Sequence, residues 1–119
     1  HVGFILDAGF PTWLIDYWCN KMNKFSKEEI IRRLTTDTAK AAGLCDRGQI
    51  KEGYKADLNV LDWDNVKSGN PYIVNDLPAN GKRLMQETTG YEFTIVSGII
   101  TYAKGKSTGK LPGNLVRND

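Results

Sequence analysis

The stretch FTIVSGIITY, residues 93–102, decides the fold. Apolar and β-branched residues run up to Ser97 and Gly98 and resume directly after them, which reads as two short strands joined by a two-residue loop that needs positive φ. Upstream, ADLNVL (56–61) has period two: Ala56, Leu58 and Val60 fall on one side, and Asp57, Asn59 and Leu61 on the other. That is the pattern of a sheet with one well-covered face. Asp62 and Asp64 read as ending this strand by folding back on local amides. Residues 67–90 are rich in Gly, Asn, Asp and Pro and too long for a tight turn, so they read as a surface excursion packed by Tyr72, Ile73, Val74 and Leu77. Beyond the hairpin, Gly105, Gly109, Pro112 and Gly113 break the chain again.

Before residue 48 the punctuation is helical. Pro11 suits the first turn of a helix reaching about Asn23, with Trp13, Leu14, Tyr17, Trp18 and Met22 recurring as one apolar face. Three aromatics at that spacing read as core or interface anchors, and left uncovered they drive self-association. Ser26 and Glu29 form a capping box: the hydroxyl takes a free amide and the carboxylate returns to the cap's own amide. The helix they open buries Ile30, Ile31 and Leu34, wets Glu28, Arg32 and Arg33, and stops near Thr35. Thr36 or Asp37 then caps a short third helix through Ala42, closed by Gly43 at a left-handed C-terminal position. On residues alone this is an α+β chain, with a helical segment over 1–47 and a strand segment over 48–119.

Composition narrows the function. The chain has 119 residues, 40% hydrophobic, 25% charged and 10% aromatic, which excludes disorder and low-complexity arrays. Sixteen basic against fourteen acidic residues leave +2, too little to hold a polyanion, so no nucleic-acid partner is expected. No apolar run approaches the roughly 20 residues of a membrane span, and no secretory leader opens the chain, so it reads as cytoplasmic with no membrane partner. Cys19 and Cys45 then read as reduced thiols. Starting on His1 in mid-phrase, the text reads as a piece of something longer.

Catalytic inventory is thin. A transition-metal centre needs three or more converging ligands, and the chain has one histidine, His1, and no CxxC element. The same shortage leaves a serine or cysteine nucleophile without a base. Glycine spacing around GIITYAKGKSTGK matches no phosphate cradle. These residues point to a module without its own active site, and no cofactor is expected in this chain.

Four segments nevertheless resemble, in order, the C-terminal end of the amidohydrolase superfamily, in its N-acyl-D-amino-acid deacylase (D-aminoacylase-like) branch. They are HVGFILDAGFPTWLIDYW (1–18), GQIKEGYKADLNVLD (48–62), NDLPANGKRLMQETTGYEFTIVSG (75–98) and TGKLPGNLVRN (108–118). Thr38 stands where the resemblance leads one to expect proline, and Ser97 where asparagine often precedes glycine. The resemblance implies helices closing a (β/α)8 barrel, followed by strands of a small composite β-sandwich domain. It implies zinc in the full-length parent, with its ligands and an assisting aspartate upstream of His1. The missing N-terminal barrel is then the chief partner, and the fragment alone is inactive. Because barrel sites open at the C-terminal ends of the strands, the loop from His1 to Pro11 borders the substrate pocket, with His1, Asp7 and Phe10 its candidate residues. Two alternatives stand beside this reading: a non-enzymatic β-sandwich module for binding or oligomerisation, and a parent acting on a cyclic amide, dihydroorotase-like or hydantoinase-like.

Overall fold

The computed structural model describes residues 9–116. Helix α1 is α-helical over Phe10–Trp13, with Pro11 in its first turn, and continues with wider π turns over Leu14–Lys21. The wider spacing brings residues five apart together: Met22 N–H donates to the Tyr17 carbonyl at 2.9 Å, and Lys21 Nζ lies 3.1 Å from Asp16 Oδ1. Asn23 ends the helix in the left-handed region, φ 49°, a conformation asparagine tolerates better than most residues. Its buried residues are Thr12, Ile15, Asp16 and Cys19, whereas Trp13, Tyr17 and Met22 are exposed. Of the face read as core or interface anchors, Leu14 packs against the core while Trp13, Tyr17 and Met22 stand on the outside. Its aromatics satisfy one another, with Trp13 stacked on Tyr17 at 5.1 Å and both meeting Trp18 edge-on.

Helix α2 runs over Lys27–Arg32, widens over Arg33–Asp37 and returns to α-helix over Thr38–Ala41. The sequence placed a stop near Thr35 and a new cap at Thr36 or Asp37; instead Asp37 is helical, with φ −68° and ψ −41°. Threonine hydroxyls carry the chain through: Thr35 Oγ1 donates to the Ile31 carbonyl at 2.6 Å and Thr38 Oγ1 to the Thr35 carbonyl at 3.0 Å. Asp37 pairs with Arg32, five residues back, at 3.3 Å. Half of the capping box forms. Ser26 Oγ accepts from Glu29 N–H at 3.1 Å, but the Glu29 carboxylate takes Arg33, 2.7 Å away, in preference to the cap amide. It is the Glu28 carboxyl that is held below its usual value here, by its own backbone N–H first and the Ser26 hydroxyl second. Gly43, φ 72°, closes the helix as expected.

Eight antiparallel strands follow: β1 Leu58–Leu61, β2 Lys67–Ser68, β3 Tyr72–Leu77, β4 Gly81–Met85, β5 Thr88–Thr89, β6 Tyr91–Val96, β7 Ile99–Ala103 and β8 Lys106–Ser107. One sheet has the order β1-β6-β7-β8. Its β6–β7 turn takes positive φ at both Ser97 (51°) and Gly98 (77°), as the sequence requires. Asp57 fixes that turn, its Oδ1 accepting from Ser97 N–H at 2.8 Å, and so the regular strand begins at Leu58, two residues later than the alternation suggests. Residues 67–90, read as a surface excursion, are built of paired strands. β2 pairs with β5 and β3 with β4, making a two-stage ribbon whose tip turns through left-handed Ala79 and Asn80. Its apolar residues do not pack it down: Tyr72, Ile73 and Leu77 are exposed, while a bidentate Asp76–Arg83 pair (2.7 and 2.6 Å) crosses the strands.

The core is small. Ile15, Cys19, Ile30 and Val66 are buried together, with Leu14, Phe25, Leu34, Leu61, Trp63 and Tyr91 around them. Residues opposite one another in an antiparallel register share a face. The pairings Leu58 with Ile95, Val60 with Phe93, Ile95 with Ile100 and Phe93 with Ala103 thus assemble an apolar face across β1, β6 and β7, edged on β8 by Lys106 opposite Ala103. This is the face read as well covered, yet Val60, Phe93 and Ile100 on it are exposed. The shift of register between Val60 and Leu61 turns Leu61 and Tyr91 toward the helices instead.

Candidate functional site

Helices and strands meet along a seam whose contacts are polar at regular intervals. Thr12, Asp16 and Asn20, four residues apart on α1, each engage the strand half. Thr12 Oγ1 lies 2.7 Å from Tyr91 Oη. Asp16 Oδ2 accepts from Ser68 N–H at 3.3 Å. Asn20 and Trp63 bond reciprocally, the indole N–H donating to Asn20 Oδ1 at 2.9 Å and the Asn20 amide donating to the Trp63 carbonyl at 3.2 Å. Burying a carboxylate is costly unless its lone pairs are occupied, and Asp16 has both Ser68 N–H and Lys21. The seam therefore fixes how α1 lies on the strands more sharply than apolar contact alone would do.

At its upper end the seam positions the chain entering α1. Gln86, at the base of the ribbon, donates from Nε2 to the Gly69 carbonyl at 2.9 Å, and its Oε1 occupies the space that a Cβ on Gly9 would need. Phe10 follows in the first helical turn, 59% exposed. Of the three residues assigned to the substrate loop, Phe10 is thus part of the helix. His1 and Asp7 lie outside the described residues. At the lower end, a cleft of about 330 Å³ is lined by Cys19, Asn20, Asn23, Phe25, Ser26, Lys27 and Asp64. Most of its polar groups are already engaged: Asn20 with Trp63, Ser26 with the Glu29 N–H, and Lys27 over the Trp63 ring at 5.4 Å and 3.9 Å from Asp64. Neither aspartate folds back on a backbone amide as expected: Asp62 accepts from the Asn65 side chain, Nδ2, at 2.8 Å, and Asp64 faces Lys27. Cys19 and Cys45 are free thiols, the first buried and the second exposed.

Against this geometry, the amidohydrolase family profile matches residues 6–102, from before α1 into β7. The chain belongs to the amidohydrolase family. The amidohydrolase match runs through both helices and across the seam into the sheet, and it supports a hydrolase of that superfamily. No curated protein and no solved structure matches it. Among the described residues no three His, Cys, Asp or Glu side chains come close enough to hold a metal ion. Among them, too, no helix is long and apolar enough to cross a membrane.

The polar seam is what sequence reading missed. Its signal was present as Thr12, Asp16 and Asn20 at four-residue spacing, overshadowed by the larger aromatics between them. Helical periodicity marks two stripes here, and side-chain size alone does not say which one faces inward.

Proposed function

We propose that this chain is the C-terminal portion of a cytoplasmic, zinc-dependent amidohydrolase of the N-acyl-D-amino-acid deacylase type, which cleaves a linear amide to a carboxylate and a D-amino acid. In this reading the helical segment lies against a (β/α)8 barrel, and the strand segment contributes one layer of a small composite β-sandwich. The chain alone is inactive. Its own part is structural: the seam and Gln86 hold the segment that enters α1 beside the substrate pocket.

The observation that carries the reading is the amidohydrolase match over residues 6–102, and the amount of surface left open supports its structural part. The chain exposes 8954 Å², whereas a folded monomer of 13.3 kDa exposes about 6,400 Å². Part of the excess is the apolar sheet face of Leu58, Val60, Phe93, Ile95, Ile100 and Ala103. Sheets with such a face pack on a second layer roughly 10 Å away. A panel of N-acyl-D-amino acids and their L counterparts, with and without a chelator, tests the activity on the longest polypeptide that contains these residues. D-selective, chelator-sensitive release of the acyl acid is expected. Preference for the L series, or turnover of cyclic amides alone, refutes the substrate assignment.

A further inference from the structure

We propose that the outer face of α1 is an interface between two copies of this chain, paired antiparallel about a twofold axis near Tyr17. Phe10 is 59% exposed, Trp13 46%, Tyr17 36% and Met22 43%, all on the side of the helix away from the seam. An aromatic side chain carries roughly 150–250 Å² of surface, so the three aromatics alone present about 300 Å² to solvent. That is as large as the biggest apolar patch of a typical monomer, about 300–600 Å². Interfaces are about 60% apolar, so with Met22 and a polar rim the patch corresponds to roughly 600–700 Å² per partner, near the ~800 Å² of a standard interface.

A second copy suits this face better than a charged partner does. Between Phe10 and Met22 the charged residues are Asp16, which points into the seam, 6% exposed, and Lys21, which pairs with it at 3.1 Å; an antiparallel pairing sets the two Lys21 side chains at opposite ends, so no like charges meet. The stacked and edge-on contacts of Trp13, Tyr17 and Trp18 hold the rings in place before association, so less side-chain freedom is lost on binding. An antiparallel arrangement places Phe10 of each copy toward Met22 of the other, a sulfur–aromatic contact. The rival surface is the apolar sheet face, which exposes one aromatic, Phe93 at 36%, with Val60 and Ile100. This inference does not rest on the substrate assignment above.

Size-exclusion chromatography with light scattering on the 119-residue chain is expected to give twice the 13.3 kDa of one chain as concentration rises through the micromolar range. Tryptophan emission should shift to the blue in step. Trp13→Gln with Tyr17→Gln is expected to weaken the dimer by about tenfold or more, as loss of central aromatic anchors does. Phe10→Ser, at the edge of the same face, keeps the test open should the double variant unfold, and is expected to weaken pairing several-fold. A chain that stays monomeric throughout overturns the proposal. So does a dimer that survives these changes and is lost in Phe93→Lys, which would assign pairing to the sheet.

Discussion

Replacing Gly90 with alanine should be among the most damaging single changes in the molecule. Gly90 lies between β5 and β6 at φ +82°, and its carbonyl accepts from Asp62 N–H at 2.9 Å. An added Cβ would meet the backbone N and Cα of Val66 and the carbonyl carbon of Asn65. Those atoms belong to the chain at Val66, which is fully buried in the core, so they cannot move aside as a flexible side chain would. Left-handed backbone costs an L-residue about 1–2 kcal/mol, and forcing extra volume into packed structure costs about 1–3 kcal/mol. Together these come to about 2–5 kcal/mol against a total stability of about 5–15 kcal/mol. Gly98 supplies the control. Its φ is +77°, but a Cβ there meets nothing within 4 Å, so Gly98→Ala should show the backbone cost alone. Urea unfolding followed by tryptophan emission and by far-UV circular dichroism would measure both variants. If the two lose the same stability to within about 0.5 kcal/mol, the crowding argument fails, and with it the close approach of the β5–β6 junction to Val66.

Three further outcomes are expected. Asp16→Ala should cost about 2 kcal/mol in urea unfolding, because a charged acceptor of the Ser68 N–H is lost while the half-open Lys21 partner adds little; Asp16→Asn should recover part, and no loss in either would show that the seam is not held there. The Arg83 guanidinium, hydrogen-bonded to Asp76, holds its carboxyl below the ordinary value of 3.8. A depressed carboxyl stabilises the fold above its unfolded value and loses that contribution as pH falls through the folded one. Hydrogen exchange in Tyr72–Leu77 should therefore quicken below about pH 4 in the wild type, and that acid step should be absent in Arg83→Ala. Finally, a thiol reagent should modify Cys45 promptly in the native chain and Cys19 only on unfolding, since Cys19 is 5% exposed; equal rates at the two sites would contradict the burial of Cys19.

Local rules governed the parts of the fold that the sequence disclosed. The β6–β7 turn needs two left-handed residues, and Ser97 and Gly98 supply them, although the Asp57 carboxylate that steadies the turn comes from 40 residues away. Gly43 and the Ser26 hydroxyl act within one turn of themselves. What stayed hidden depends on partners distant in the chain. Tyr91 is 79 residues from Thr12 and Ser68 is 52 from Asp16, so which stripe of α1 turns inward is decided by the strands. The ribbon was hidden for a related reason. Its turn uses Ala79, a residue with no preference for φ 55°, and its strands are joined by the Asp76–Arg83 pair rather than by an apolar alternation. As for the candidate site, Phe10 could be placed, while the residues that steady its neighbourhood, Gln86 and Gly69, gave no sign of it in a segment read as a surface excursion.

The distribution of polar and apolar contact then follows a single logic. A helix held to a sheet only by apolar packing can slide or roll at little cost, because such contact is not directional. Three hydrogen-bonded positions on successive turns of α1 forbid both motions, since a shift of one residue would strand the buried Asp16 carboxylate. With orientation fixed in this way, the aromatic side chains of α1 are not needed at the seam, where Trp63 and Tyr91 come from the strand half, and Trp13 and Tyr17 stand outward as Val60, Phe93 and Ile100 do on the sheet. The cost is a core of few residues and an extended chain: the radius of gyration is 15.9 Å, where about 13.5 Å is usual for this length. Stability in such a molecule depends strongly on what covers its outer faces. Raising protein concentration should accordingly raise the unfolding midpoint if a second copy covers α1, and Trp13→Gln with Tyr17→Gln should remove that dependence while changing the midpoint of the dilute chain little.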